Sequence, residues 1–274
     1  MSKNQPNLIN DSVLTNAVYE LLKRVEHPLS AFEIAKEVIS IENLPSDLAD
    51  KMIYIILKND SRFRQNRKNK WMLSDRFLET KKIANLDYIV LDVEIVGHAR
   101  SPHMIEIAAF HLRDLKIVNE FCTYINPGRA IIPKVLPNLT GEVGRIINTE
   151  TLQKAPTFEQ IIPDFFKFIG NKILVAHNAH FDLRMINLEL RRLGHQKLVN
   201  HTIDTLKISR KMIRGVDTQK LPNLAYYFGV PMEEHHLARE DAKVLAKIFI
   251  NLIGLLEEKN IEQFNQISPF LISL

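Results

Sequence analysis

Cysteine is all but missing from this chain of 274 residues, in which Cys122 stands alone. A single thiol excludes an intramolecular disulfide framework and any multi-cysteine zinc site, and it suits a reducing compartment. Long apolar runs are missing too. The longest stretches, such as residues 248–256, are too short to span a bilayer, and Met1-Ser2-Lys3-Asn4-Gln5-Pro6 lacks the basic-then-apolar order of a signal peptide. A cytoplasmic protein with no membrane partner is therefore expected. The nine glycines form no phosphate-cradling loop, and neither a Ser/His/Asp order nor a cysteine nucleophile offers itself for catalysis. What remains for chemistry is carboxylate and histidine. Around them the composition is ordinary for a globular protein, 46% hydrophobic and 25% charged, and the length allows one large domain or two smaller ones. A formal charge of +4 permits a polyanionic partner without requiring one, so where the cations cluster matters more than their sum.

The front of the chain reads as short helices. Val13, Leu14, Ala17, Val18, Leu21 and Leu22 recur four apart, the stripe of an amphipathic helix. Ser30 and Glu33 have capping-box spacing, with Leu29 placed to staple onto Ile34, so a second helix starts there. A third follows Pro45, with Leu48, Ile53, Ile56 and Leu57 expected to face inward and Lys51, Tyr54 and Lys58 outward. Residues 62–73 then place a polar turn between two apolar-anchored arms, the pattern of a hairpin. Five of the nine residues from 62 to 70 are basic, namely Arg62, Arg64, Arg67, Lys68 and Lys70, and none is acidic. This order of helices and basic hairpin resembles the winged helix-turn-helix family over residues 10–75, and the resemblance implies nucleic-acid binding by those five cations. The competing reading is a solvated charged loop on a protein-interaction module. A boundary is expected near Ala84, giving a front domain over residues 1–84.

Next, Tyr88-Ile89-Val90-Leu91-Asp92-Val93-Glu94 runs from β-forming apolar residues into two carboxylates, as a buried strand does when its end opens into a polar site. Residues i and i+2 of a strand share a face, so Asp92 and Glu94 would lie side by side. Two ionised carboxylates inside a fold cost free energy unless a cation lies between them. Taken alone, Asp-x-Glu is also common on solvated turns. Residues 104–110 and 116–125 read as two more strands joined at Arg113-Asp114, an antiparallel start to the domain. After an amphipathic helix over 156–169, the apolar strand 172–176 ends in His177-Asn178-Ala179-His180-Phe181-Asp182. Asp182 thus falls at the mouth of a strand-to-helix turn, where ligands collect in α/β sheets. It reads equally as a first-turn aspartate stabilising a helix dipole. Finally, His236 precedes Asp241 by five residues, the one in a loop and the other in the first turns of a long helix.

Asp92-x-Glu94, then His177-Asn178-Ala179-x-Phe181-Asp182, then His236-x-Ala238-x-x-Asp241-Ala242, in this order, closely resemble the DEDD exonucleases of the histidine-containing branch over residues 87–258. Residues 187–194 and Ile203-Asp204-Thr205-Leu206 are most similar to the epsilon proofreading subunit of bacterial DNA polymerase III and its relatives. The resemblance implies an α/β fold, a ribonuclease H-like mixed sheet with helices on both faces over residues 85–258, preceded by the small winged-helix domain. The implied activity is that of a 3′–5′ exonuclease releasing nucleoside 5′-monophosphates from DNA, in proofreading or repair. Four hard oxygen ligands, Asp92, Glu94, Asp182 and Asp241, would hold Mg2+ or Mn2+, two ions per site, rather than zinc. His236, of ordinary pKa near ~6.5, would be the general base. Ile95, His177, Asn178, Phe181, Leu139 and Thr140 fall on positions that the resemblance assigns to substrate binding.

Related enzymes read Asp-Thr-Glu-Thr-Thr-Gly where this chain has Asp92-Val93-Glu94-Ile95-Val96-Gly97, so hydroxyls near the terminal nucleotide are lost. Two alternatives stay open: a 3′–5′ exoribonuclease, and a catalytically idle nucleic-acid-binding protein of the same fold. Residues 259–274 read as a C-terminal tail. Within it, Gln266-Ile267-Ser268-Pro269-Phe270 resembles the short peptides that dock replication proteins onto the bacterial sliding clamp, and reads otherwise as an apolar end that packs back on its own domain; that clamp, a DNA polymerase and the 3′ ends of DNA or RNA are the partners in view.

Overall fold

The computed structural model describes residues 12–25, 27–58, 60–79, 81–98, 101–128, 147–232 and 237–272. His236, Leu139 and Thr140 of the expected site lie outside the described residues. The chain divides into two compact units, residues 1–81 and 82–274, close to the boundary expected at Ala84.

In the front unit, α1 (Val13–Val25), α2 (Ala31–Ile34, continued by a wider turn over Ala35–Ile39) and α3 (Ser46–Leu57) precede a hairpin of β1 (Phe63–Gln65) and β2 (Trp71–Leu73). The capping box is present: the Glu33 amide donates to Ser30 Oγ at 3.2 Å and Glu33 Oε2 accepts from the Ser30 amide at 2.6 Å. Leu29 forms a bridge to Trp71, so the hairpin is tied to the turn between α1 and α2. Val18, Leu22, Ile34, Ile53, Leu57 and Trp71 close the core. One inward residue differs from expectation. The buried stripe of α3 is Ala49, Ile53 and Leu57, spaced by four, which leaves Leu48 on the flank at 44% exposure. A short helix, α4 (Ser74–Glu79), follows β2 directly.

The second unit is built on a five-stranded sheet in the order β5-β4-β3-β6-β7, with β3 (Tyr88–His98), β4 (Ser101–Arg113), β5 (Lys116–Tyr124), β6 (Ile173–Ala176) and β7 (Thr202–Asp204). The first three strands pair antiparallel, while β6 and β7 add in parallel, so the sheet is mixed. Between them come α5 (Thr149–Lys154), α6 (Phe158–Ile169) and α7 (His180–Arg192); α8 (Thr205–Met212), α9 (Leu221–Tyr227) and the long α10 (Ala238–Glu258) follow. Strand alternation decides which helix each side chain meets. Ile89, Leu91 and Val93 of β3 join the core shared with α6 and α7, whereas Tyr88 packs edge-on against Phe249 of α10, ring centroids 4.9 Å apart.

The last residues belong to this unit. Ile272 donates its amide to the Thr202 carbonyl at 2.8 Å and Leu271 bridges Ile203, which covers the open edge of β7. The peptide expected to dock a sliding clamp is therefore used otherwise: Ile267 and Phe270, its apolar anchors, are 0% and 2% exposed. Packing against the chain's own unit removes them from the surface that docking needs. No helix among the described residues is long and apolar enough to cross a membrane.

Candidate active site

The site starts from the alternation of β3. Tyr88, Asp92 and Glu94 share the face that α10 covers. Four strand residues from Tyr88 to Asp92 span about 13 Å, and eight helical residues from Phe249 back to Asp241 span about 12 Å. Because Phe249 touches Tyr88, the run of α10 opposite to β3 brings Asp241 level with the two carboxylates. Ligand oxygens of Asp92, Glu94 and Asp241 accordingly lie within 4.8 Å of one another.

Asp182 arrives differently. The parallel ladder of β3 and β6 ends at the pair Val90–Val175, and beyond it the chain leaves β6 through a tight turn in which Asn178 takes φ +61°. That turn aims the first residues of α7 back at β3, where Asp182 Oδ1 accepts a hydrogen bond from the Val93 amide at 3.2 Å. The carboxylate thereby sits beside Asp92, at the crevice where the two strands part.

Electrostatics follow from this crowding. Burial, then the carboxylates of Asp182, Glu94, Asp241 and Glu106, hold Asp92 well above the usual carboxylate range. Glu94 is pushed up to about 8, by burial first and then by Asp241, Glu106 and Asp182. Asp182 is also pushed up to about 8 by burial, against the lowering effect of the backbone amides it meets. An ionised cluster of this kind is stable once a cation supplies the missing charge. Among the described residues the donors are carboxylate oxygens, which suits a hard divalent ion. Cys122 offers no thiolate, since burial pushes its thiol up to about 11.

The other expected contacts have their own surroundings. His177 Nε2 lies 2.7 Å from the Gln219 carbonyl, which can only accept, so Nε2 carries the proton and Nδ1 faces the Thr205 hydroxyl at 3.0 Å. Both ring nitrogens are thus engaged within the protein. Asn178 is exposed at the turn, its amide held by Asp204 at 2.9 Å. Phe181 and Ile95 are partly buried against the core shared with α6 and α7. Two carboxylates near the site were given no role from the sequence. Asp204 fastens the Asn178 turn and also caps α8 through the Leu206 amide. Glu106, a lone charge in the otherwise apolar strand 104–110, pairs in register with Glu94; that isolation was the available signal.

The five hairpin cations of the front unit do not share one environment. Arg62 is bound to the buried Asp60 through contacts of 2.7–3.2 Å and lies over Tyr19. Arg64 stacks on Phe77 at 3.3 Å from the ring centre. Lys70 pairs with Glu33 at 3.7 Å, while Arg67 and Lys68 are exposed at the tip with no acidic partner among the described residues.

The model of the exonuclease family (RNase_T) matches residues 89–249, more than half of the chain, and the chain belongs to that family. The PolC-type DNA polymerase III of Caldanaerobacter subterraneus subsp. tengcongensis is 35% identical over 187 residues, covering 68% of this chain and 13% of that protein. The PolC-type polymerase of Clostridium perfringens is 35% identical over 163 residues, 59% of this chain and 11% of that one. The chain thus spans only a small part of these relatives. Among solved structures, the nuclease domain of 3′hExo, a DEDDh family member bound to rAMP, superposes with a TM-score of 0.52 at 13% identity, covering 66% of this chain and 96% of that domain. Cell-death related nuclease 4 gives 0.50 at 17% identity, covering 62% and 64%. These likenesses show the ribonuclease H-like fold.

Proposed function

We propose that this protein is a divalent-metal-dependent 3′–5′ exonuclease that releases nucleoside 5′-monophosphates from the 3′ end of DNA. The observation that carries this reading is the convergence of Asp92, Glu94 and Asp241 within 4.8 Å, with Asp182 on the adjoining backbone. Those four carboxylates would hold Mg2+ or Mn2+, two ions per site. When bound, the ions supply positive charge for the attacking water and for the leaving 3′-oxygen of an in-line displacement. His236 takes the proton from that water as general base, a role open to a neutral imidazole. Asn178, Phe181, Ile95, His177, Leu139 and Thr140 are assigned to the terminal nucleotide, His177 acting by holding its turn. The 35% identity to PolC-type DNA polymerases favours DNA as substrate and a replication or repair setting.

In the front unit, the exposed tip cations Arg67 and Lys68 are the ones placed to meet phosphates, with Lys70 beside them. The deciding experiment incubates the protein with matched 5′-labelled DNA and RNA oligonucleotides, with Mg2+, with Mn2+ and with chelator. Stepwise shortening of DNA from the 3′ end, abolished by chelator, is expected. Preferential shortening of RNA would move the assignment to an exoribonuclease, and no shortening of either would make it an idle binding protein.

A further inference from the structure

The start of α10 has no cap of its own. Its N-cap is Leu237, whose side chain accepts no hydrogen bond, so the orphan amides of the first turn need an acceptor from elsewhere. Glu106 of β4 supplies it. Oε2 accepts from the Ala238 amide at 3.0 Å and Oε1 from the Arg239 amide at 3.3 Å. The residue is 4% exposed, flanked along the strand by buried Ile105 and Ile107.

A carboxylate is an unfavourable choice for that strand position taken by itself. Glu106 faces Glu94 across the ladder, a like-charge cross-strand pair, where an apolar residue would match its neighbours. Two helix amides and the positive end of α10 offset that cost. The ladder is irregular at this point: Glu94 pairs with Glu106 but Ile95 with Met104, so Ile105 is an extra residue, and such bulges re-aim side chains beside functional sites. Asp241 lies three residues past Ala238, and its own amide bonds back to the Leu237 carbonyl at 3.0 Å. The first turn held by Glu106 is therefore the turn that presents Asp241. A second fastening is weaker and exposed, the Arg239 guanidinium on Glu120 of β5 at 2.9 and 3.2 Å.

We infer that Glu106 is a positioning residue, which fixes the start of α10 on β4 and through it the placement of the Asp241 carboxylate against Asp92 and Glu94. The inference rests on the metal-site reading above. Its test compares Glu106→Gln with Glu106→Ala in the full chain. Both remove the same charge beside Glu94, and only glutamine keeps an oxygen acceptor. The readouts are Mn2+ binding by calorimetry and amide hydrogen exchange over residues 237–245 in the metal-free protein. Glu106→Ala is expected to speed exchange at the start of α10 and to weaken Mn2+ binding on the order of 10–100-fold, the usual cost of losing a group that orients a ligand. Glu106→Gln should recover most of both. Equal Mn2+ affinity in the two variants would reduce Glu106 to a charge effect and overturn the inference, as would unchanged exchange. If the wild type takes up no Mn2+, the metal reading fails separately, and exchange alone then decides whether Glu106 holds the helix. Should Glu106→Ala not fold, Glu106→Met, which keeps the length without an acceptor, takes its place.

Discussion

Both units bury charge, but with opposite bookkeeping. In the front unit Asp60 is 3% exposed and Arg62 lies directly on it, so the fold itself supplies the counter-charge. In the exonuclease unit Asp92, Glu94 and Asp182 are crowded together, and among the described residues no lysine or arginine forms an ion pair with any of them. Compensated burial belongs to packing. Like charges buried together without compensation are costly, and they mark a site completed by something from solution.

The comparison breaks most sharply at Asp182. Asp182→Asn keeps an oxygen for the Val93 amide while removing the charge, so the protein is expected to unfold cooperatively as before yet to lose hydrolysis entirely. A cooperatively folded variant that digests DNA at the wild-type rate would show that the crowded carboxylates are not the site. Next in size, His236→Ala should lower turnover roughly 10²–10⁴-fold and leave Mn2+ binding nearly intact, because a general base acts in the transition state. His235→Ala should matter far less. The opposite ranking in single-turnover rates would exchange the two histidines' roles.

A third effect concerns pH. Folded Glu94 and Asp182 release their protons near 8, whereas their ordinary values are 4.5 and 3.8. Between about pH 4 and 8 the metal-free folded state thus holds protons that the unfolded chain has released, and stability must fall as pH rises through this window. Thermal melts should show Tm dropping by several degrees from pH 5 to 8, at about 2–4 °C per kcal/mol for a unit of this size. Mn2+ should raise Tm more at pH 8 than at pH 5, since it binds the ionised carboxylates. A flat profile in metal-free protein would mean that the carboxylates are compensated after all.

The smallest effect separates two kinds of cation in the hairpin. Replacing Arg67 and Lys68 by alanine should flatten the slope of log affinity against log salt by about 1.4–1.8, from ~0.7 per contact on single strands to ~0.9 on duplex. Turnover of a saturating short oligonucleotide should hardly change. Arg64→Ala, which removes the stacking on Phe77, should leave the slope alone and lower front-unit stability by about 0.5–2 kcal/mol. Salt titrations on an Asp182→Asn background keep the ligand intact. Equal slopes for wild type and the Arg67/Lys68 variant would assign the front unit to protein contacts.

What could be read from the sequence was local. Strand alternation placed Asp92 beside Glu94, the strand-to-helix turn announced Asp182, and the helix after His236 announced Asp241, because each rests on backbone periodicity and chain neighbours. The capping box at Ser30 and Glu33 was legible for the same reason. Partners distant in sequence decided the rest. Arg62 and Arg64 read alike from the sequence, and only the fold sets one on Asp60 and the other on Phe77; likewise only the fold shows that Leu271 and Ile272 meet the edge of β7. Glu106 drew no reading of its own from the sequence, since the amides it holds lie 132 and 133 residues further on. Sequence by itself determined which groups could do chemistry and how the local backbone would present them. Only the tertiary structure decided which charges are neutralised inside the protein and which are left for a ligand, because a counter-charge or a hydrogen-bond acceptor acts through space over a few ångströms, whatever its distance along the chain.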